Sequence, residues 1–307
     1  MTTGSEKSAS ENSDPWQTRA AHFLSNALIY GLIKLALALP YEMRVKFIGA
    51  LVSRVVGPIV GYRRRAIQNL AHIFPDMPLA KRKSIATACL DNTGRSLIEN
   101  YSTNDMLKRM KDNPLSGAGL EALEKARSEG RPVVLVTGHF GNYEATRAAL
   151  VARGYNVGGL YRNMSNPYFN AHYVRTMQAF GGPVFPKGRK GTAGFVRHLK
   201  SGGQLVLLID QHAHNGEVLD FMGQPARTAV SAAELSLRFN AELIPFYGIR
   251  KPDGLGFETR LEAPIPPSNP LDMTQALNDN LAVHVRNKPE QWFWIHRRWR
   301  PTIGYNV

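Results

Sequence analysis

From Arg131 onward, short apolar runs alternate with helical stretches, and this alternation constrains the fold more than any other feature of the chain. The runs are VVLVT from Val133, NVGGLY from Asn156, PVF from Pro183, QLVLLI from Gln204 and ELIPFYGI from Glu242. Between them lie helical patterns at 143–153, 167–180, 192–200 and 231–239. Strands that alternate with helices predict an α/β fold with a mostly parallel sheet flanked by helices. At 307 residues and 43% hydrophobic, the chain is long enough to bury a substantial core.

The region before Arg131 has a different character. Residues 1–18 are Ser, Thr, Glu and Asn rich without apolar periodicity, and read as a disordered leader rather than a signal peptide. Residues 19–61 read as membrane-associated helices, and 62–307 as the α/β domain with a helical amino-terminal part. Phe23 to Leu39 is the most continuous apolar stretch, but Ser25, Asn26 and Lys34 put it at the short limit for crossing a bilayer. It is a membrane segment or a membrane-surface helix, with a pair of soluble core helices as the plain alternative. The next segment, FIGALVSRVVGPIVG, contains Arg54 and Pro58 and predicts a kinked amphipathic helix. Arg63, Arg64 and Arg65 then face either lipid phosphate or water.

In open α/β sheets, ligands bind outside the carboxyl ends of the strands. His139 follows the first strand, Arg162 the second, and Asp210 the strand QLVLLI, so three polar candidates fall on one predicted edge. Within HFGNYE, His139 and Glu144 are about 140° apart on an ideal helix and can meet only if the chain between them is not helical. Gly138 and Gly141 permit such a loop. An imidazole held by a carboxylate is suited to removing a hydroxyl proton. The same spacing recurs at His212 and Glu217, but there it lies in the polar run HAHNGEV rather than between a strand and a helix.

Other signals point elsewhere. Asp210, His212 and His214 form DQHAH, which supports a metallohydrolase as an alternative, although no second cluster completes a site. GRKGT at Gly188 lacks the order of a phosphate loop and reads as a turn before a helix. No Gly-x-Ser-x-Gly elbow is present. Cys89, the sole cysteine, lies in a helical pattern and reads as a buried, inert thiol in a reducing compartment. A net charge of +14 predicts attraction to nucleic acid, anionic lipid or an acidic protein. QWFWIHRRWRP interleaves Trp and Arg in a way that suits a membrane interface or stacked bases, so a nucleic-acid-binding protein is a further alternative. Trp292 and Trp294 also alternate as core positions on a strand would.

HFGNYE, VGGLYR with Arg162, the DQ at Asp210, FMGQPARTAVSAAELSLRFNAELIP and WIHRRWR together resemble the late acyltransferases of lipid A biosynthesis, the Kdo-dependent lauroyl/myristoyl type. The likeness runs from about Phe23 to Pro301. It implies a bacterial enzyme on the cytoplasmic face of the inner membrane. Such an enzyme moves a fatty acyl chain from acyl carrier protein to the hydroxyl of a 3-hydroxyacyl chain on a Kdo-bearing lipid A precursor. It further implies His139 as general base oriented by Glu144, with Arg162, Arg175, Arg189 and Asp210 among the substrate-binding residues. Membrane lipid is an expected partner; nucleic acid, a metal and an organic cofactor are not. The nearest alternative within acyl transfer is a glycerophospholipid or glycolipid acyltransferase. For the tetrahedral oxyanion, the backbone N–H groups of the Gly-rich loop or an arginine are the expected donors.

Overall fold

The computed structural model describes residues 16–300 and 303, without the side chains of Arg189 and Lys190. The expected leader therefore lies mostly outside the described residues, and helix begins at Trp16, inside its predicted carboxyl boundary. Six helices precede the sheet: α1 (Trp16–Leu37), α2 (Tyr41–Leu51), α3 (Gly57–Ile59), α4 (Tyr62–Ile73), α5 (Leu79–Tyr101) and α6 (Thr103–Met110). The expected kink is present. A π-helical segment, Val52–Val56, links α2 to α3 just before Pro58, and the chain then bends by 86° into α4. Gly61 sits at that bend with φ 76°, a left-handed conformation that favours glycine.

The remaining elements follow in order: β1 (Leu115–Ser116), α7 (Leu120–Ser128), β2 (Val133–Thr137), α8 (Tyr143–Ala152), β3 (Val157–Tyr161), α9 (Pro167–Ala179), β4 (Val184–Pro186), α10 (Arg189–Lys200) and β5 (Gln204–Leu208). After them come β6 (Glu217–Phe221), β7 (Gln224–Thr228), α11 (Ser231–Phe239), β8 (Glu242–Arg250), β9 (Phe257–Leu261) and α12 (Pro270–Asn287). Seven strands form one sheet in the order β1-β9-β8-β2-β5-β3-β4. The α/β class and mainly parallel sheet expected from the alternation are therefore present. Only the β8–β9 pairing is antiparallel within it, and β6 and β7 form a separate hairpin.

Every residue of β2 is buried, as its unbroken apolar run requires of a strand covered on both faces. Val134 and Val136 pack beneath residues of α10, α11 and α12, including Leu199, Ala232 and Leu277. Val133 and Leu135 point the other way, toward Leu123 of α7 and Leu150 of α8. This alternation makes three layers.

Strand order also places the site. From β2 the chain passes over to β3, whereas from β5, the neighbour of β2, it passes back across β2 to β8. The two connections leave in opposite directions, which opens a crevice at their carboxyl ends.

Candidate active site

Parallel pairing sets Thr137 opposite Leu208 at the end of β2 and β5. The residues that follow, Gly138–His139 and Ile209–Asp210, are thereby brought side by side. The Asp210 carboxylate holds His139 at two points: Oδ2 accepts from the backbone N–H at 2.7 Å, and Oδ1 lies 2.8 Å from ring Nδ1. Trp292 Nε1 donates to Oδ2 at 2.9 Å. Asp210 is buried, while the His139 side chain retains 28% exposure. Burial raises the pKa of Asp210, but the His139 charge and the hydrogen bonds from His139 and Trp292 outweigh it and bring the carboxyl down to about 2. An ionised carboxylate only accepts, so Nδ1 carries a ring proton, and in the neutral imidazole the lone pair is on Nε2.

Glu144 is elsewhere. The loop before α8 is non-helical, as the glycines allow, but Asn142 caps the helix by accepting from Glu144 N at 3.1 Å, and the Glu144 side chain bonds Arg147 Nη1 at 2.9 Å. Arg147 in turn donates to Gly181 O. The carboxylate that touches His139 is thus Asp210, not Glu144. Sequence proximity misled here: the start of α8 turns Glu144 toward the segment after α9.

The loop itself is tightly fixed. His139 N is bonded to Asp210, Phe140 N to Gly138 O, Gly141 N to Gln291 O and Asn142 N to Gly248 O. These four amides are committed within the protein, which narrows the expected role of the loop backbone. Gly141 has φ 57°, and a Cβ there would lie 2.0 Å from Gly248 O. From above, α5 contributes Asn92 and Ser96, both bonded to Gly141 O. A buried network backs them: Arg250 grips Glu99 with two hydrogen bonds and donates to Asn92 Oδ1 at 2.7 Å, while Asn142 Nδ2 donates to Glu99 Oε2 at 2.9 Å. None of this network was legible as a motif, because its members are spread from Asn92 to Arg250.

The carboxyl-terminal segment is built into the site rather than laid on a surface. Trp292, Trp294, Trp299 and Arg298 are all buried. Phe293 N donates to His139 O at 3.0 Å, and its ring lies 5.5 Å from the imidazole. Arg65 Nη1 and Asn69 Nδ2 of α4 hold the same segment through the carbonyls of Ile295, Trp294 and His296.

Two cavities meet at this point. One, of about 290 Å³, contains His139 and is lined mainly by apolar surface, with Leu97, Met164, Phe169 and Tyr173 in its wall. The other, of about 480 Å³, is lined by Arg65, Arg162, Arg297 and Arg300 together with His212 and His296. Thr93 and Phe293 are common to both. Gln211, which the sequence offered only as part of the DQ pair and with no role, lies in the second cavity with its Nε2 3.4 Å from His139 Nε2. Burial pushes the His296 imidazole down to about 4, and four arginines give this cavity its basic character.

The other sequence candidates separate. Arg162 lines the basic cavity. Arg175 is on α9, in a different cavity of about 420 Å³ shared with α1 and α6. Arg189 begins α10, but its side chain is not among those described. The proposed metal set does not gather. Both Asp210 oxygens serve His139 and Trp292, and among the described residues no group of three or more His, Cys, Asp or Glu side chains could hold a metal ion.

A family profile described as bacterial lipid A biosynthesis acyltransferase matches residues 16–301. The chain belongs to this family. Among curated proteins, the lipid A biosynthesis lauroyltransferase of Escherichia coli is 25% identical over 282 residues, covering 88% of this chain and 89% of that protein. The lipid A biosynthesis palmitoleoyltransferase of the same organism is 25% identical over 286 residues, with the same two coverages. A lipid A biosynthesis acyltransferase of Haemophilus influenzae is 23% identical over 270 residues, covering 87% and 84%. The crevice at the ends of β2 and β5 is accordingly the candidate active site of a lipid A acyltransferase.

Proposed function

We propose that the chain transfers a fatty acyl group from acyl carrier protein to the hydroxyl of a 3-hydroxyacyl chain on a Kdo-bearing lipid A precursor, at the cytoplasmic face of the inner membrane. The observation that carries this reading is the His139–Asp210 pair at the meeting point of an apolar and a basic cavity. A fatty chain suits the first and an anionic sugar lipid the second.

His139 Nε2 takes the proton as the acceptor oxygen attacks the thioester carbonyl, and the Asp210 carboxylate stabilises the imidazolium that forms. The tetrahedral oxyanion needs donors next to Nε2. With four loop amides committed, the Gln211 side-chain amide and the Arg162 guanidinium fill that role. Collapse breaks the carbon–sulfur bond, and His139 returns the proton to the departing thiolate. The new ester is an acyloxyacyl group. Glu144 contributes at one remove, by tying the start of α8 through Arg147 to Gly181 O.

The test is direct. Purified enzyme is incubated with acyl carrier protein carrying chains of different length and a Kdo-bearing lipid A precursor, and products are read by mass spectrometry. Transfer that disappears in His139→Ala supports the reading. Transfer only to a glycerophospholipid, or only from acyl-coenzyme A, replaces the acceptor or the donor.

A further inference from the structure

The helix α1 is hydrophobically inside out. At 22 residues and about 1.5 Å per residue it is roughly 33 Å long, long and apolar enough to cross a membrane. Several of its polar residues nevertheless face the protein. Asn166 Nδ2 donates to His22 O at 2.8 Å and contacts Ser25 Oγ; His172 Nε2 lies 2.9 Å from Asn26 Oδ1, and its ring stacks on Tyr30 at 4.6 Å. The docking continues toward the carboxyl end, where Ile33 and Ala36 are buried in the cluster that contains Val45 and Ile98. On the opposite face Leu24, Leu28 and Leu35 are 67%, 77% and 72% exposed. Their spacing of four and seven residues puts them in one stripe, with Gly31 between them.

Length then decides the topology. From His22 to Leu37 the helix lies against α9, α5 and α2, which occupies about 24 Å of it. Only Trp16 to Ala21, about 9 Å, extends beyond, against a hydrocarbon core of about 30 Å. If α1 crossed the bilayer, α9 would have to enter with it, carrying Asn166, Asn170 and Arg175 into hydrocarbon. We propose that α1 is a monotopic anchor that lies in the plane of the membrane, its Leu24–Leu28–Leu35 stripe dipped into lipid and its polar face clamped on α9.

Two cations fit this placement. Lys34 and Arg175 line the cavity between α1, α6 and α9, and among the described residues neither has a carboxylate partner. At the border of an interfacial helix they lie at the level of headgroup phosphates.

The experiment uses the full chain in sealed membrane vesicles of both orientations. In a Cys89→Ala background, Gln17→Cys at the exposed start of α1 and Lys200→Cys on the catalytic domain are probed separately with a membrane-impermeant maleimide. An in-plane helix places both on the same side, whereas labelling from opposite sides would overturn the proposal. A second measurement does not depend on labelling. The triple variant Leu24→Gln, Leu28→Gln, Leu35→Gln should bind phosphatidylglycerol-containing vesicles about 100-fold less or weaker still, while keeping its activity in detergent. Unchanged vesicle binding would equally defeat the proposal. Neither readout requires that the acyl donor or acceptor be the one proposed above, so the two readings fail separately.

Discussion

Asp210 and His139 are joined twice, once through the ring and once through the backbone, so a single carboxylate fixes both the tautomer of the imidazole and the place of its main chain. Asp210→Asn should therefore lower kcat by about 10² to 10⁴, comparable to the loss of a general base. Glu144→Gln should cost much less at saturating substrate and act mainly on stability, through the Arg147 contact. Steady-state kinetics of both variants beside thermal unfolding decide the matter. A Glu144→Gln enzyme as dead as His139→Ala, but fully stable, would return the orienting role to Glu144.

Acid unfolding offers an independent check on the same carboxylate. The folded-state pKa of Asp210 is about 2, below the ordinary 3.8. A depressed pKa contributes stability that is fully present above the unfolded value and is lost as pH falls through the folded one. The expected contribution is roughly 2 kcal/mol. In urea unfolding the advantage of wild type over Asp210→Asn should shrink as pH falls from about 4 toward 2.

Trp292 supplies the third bond to Asp210. Trp292→Phe keeps most of the ring in the core but removes a hydrogen bond to a charged group, of the kind that contributes about 1.5–3 kcal/mol. The rate should fall about 10- to 100-fold, with the KM for the acyl donor little changed. An equal loss of folding stability and no loss of rate would make the indole a packing residue only.

The Glu99–Arg250 pair behind the loop should respond asymmetrically. Both side chains are buried, so Glu99→Gln leaves an uncompensated guanidinium and should destabilise by about 3–5 kcal/mol. Arg250→Lys should not rescue the site, because an ammonium cannot make the paired contacts to Glu99 and the bond to Asn92 together. Denaturant midpoints measure the first effect, and activity at low temperature the second.

Raising ionic strength should increase the KM for the phosphorylated acceptor more than it lowers kcat, since the arginines of the basic cavity act on encounter and binding. Arg162→Ala should reduce kcat/KM at every salt concentration if its guanidinium meets the oxyanion. A purely salt-dependent defect would restrict Arg162 to headgroup binding.

Much of the fold was legible because β2, β3, β5 and β8 are short apolar runs between helical patterns, and burial on both faces leaves that signature. The strand β9 and the β6–β7 hairpin went unread, since Glu258 and Arg260, or Glu217 and Asp220, interrupt their apolar character at the exposed positions. For the site, the strand-end rule placed His139, Arg162 and Asp210 on one edge correctly. It did not pair them. His139 and Asp210 are 71 residues apart, and only the register of β2 against β5 sets them together, whereas Glu144 is near His139 in sequence and turned away in space. In the Trp and Arg run near the carboxyl end, Trp292, Trp294, Trp299 and Arg298 are core, as the alternation of the first two allowed, while Arg297 and Arg300 line the basic cavity. The partners on α4 and beside Asp210 are more than 80 residues away and left no local signal.

That run has a consequence for how the protein comes into being. Asp210 and His139 leave the ribosome well before Trp292 and Phe293, so a nascent chain has the imidazole and the carboxylate but neither the indole that bonds one nor the ring that flanks the other. The crevice has its full wall only when residues 292–296 pack against α4 and Asp210.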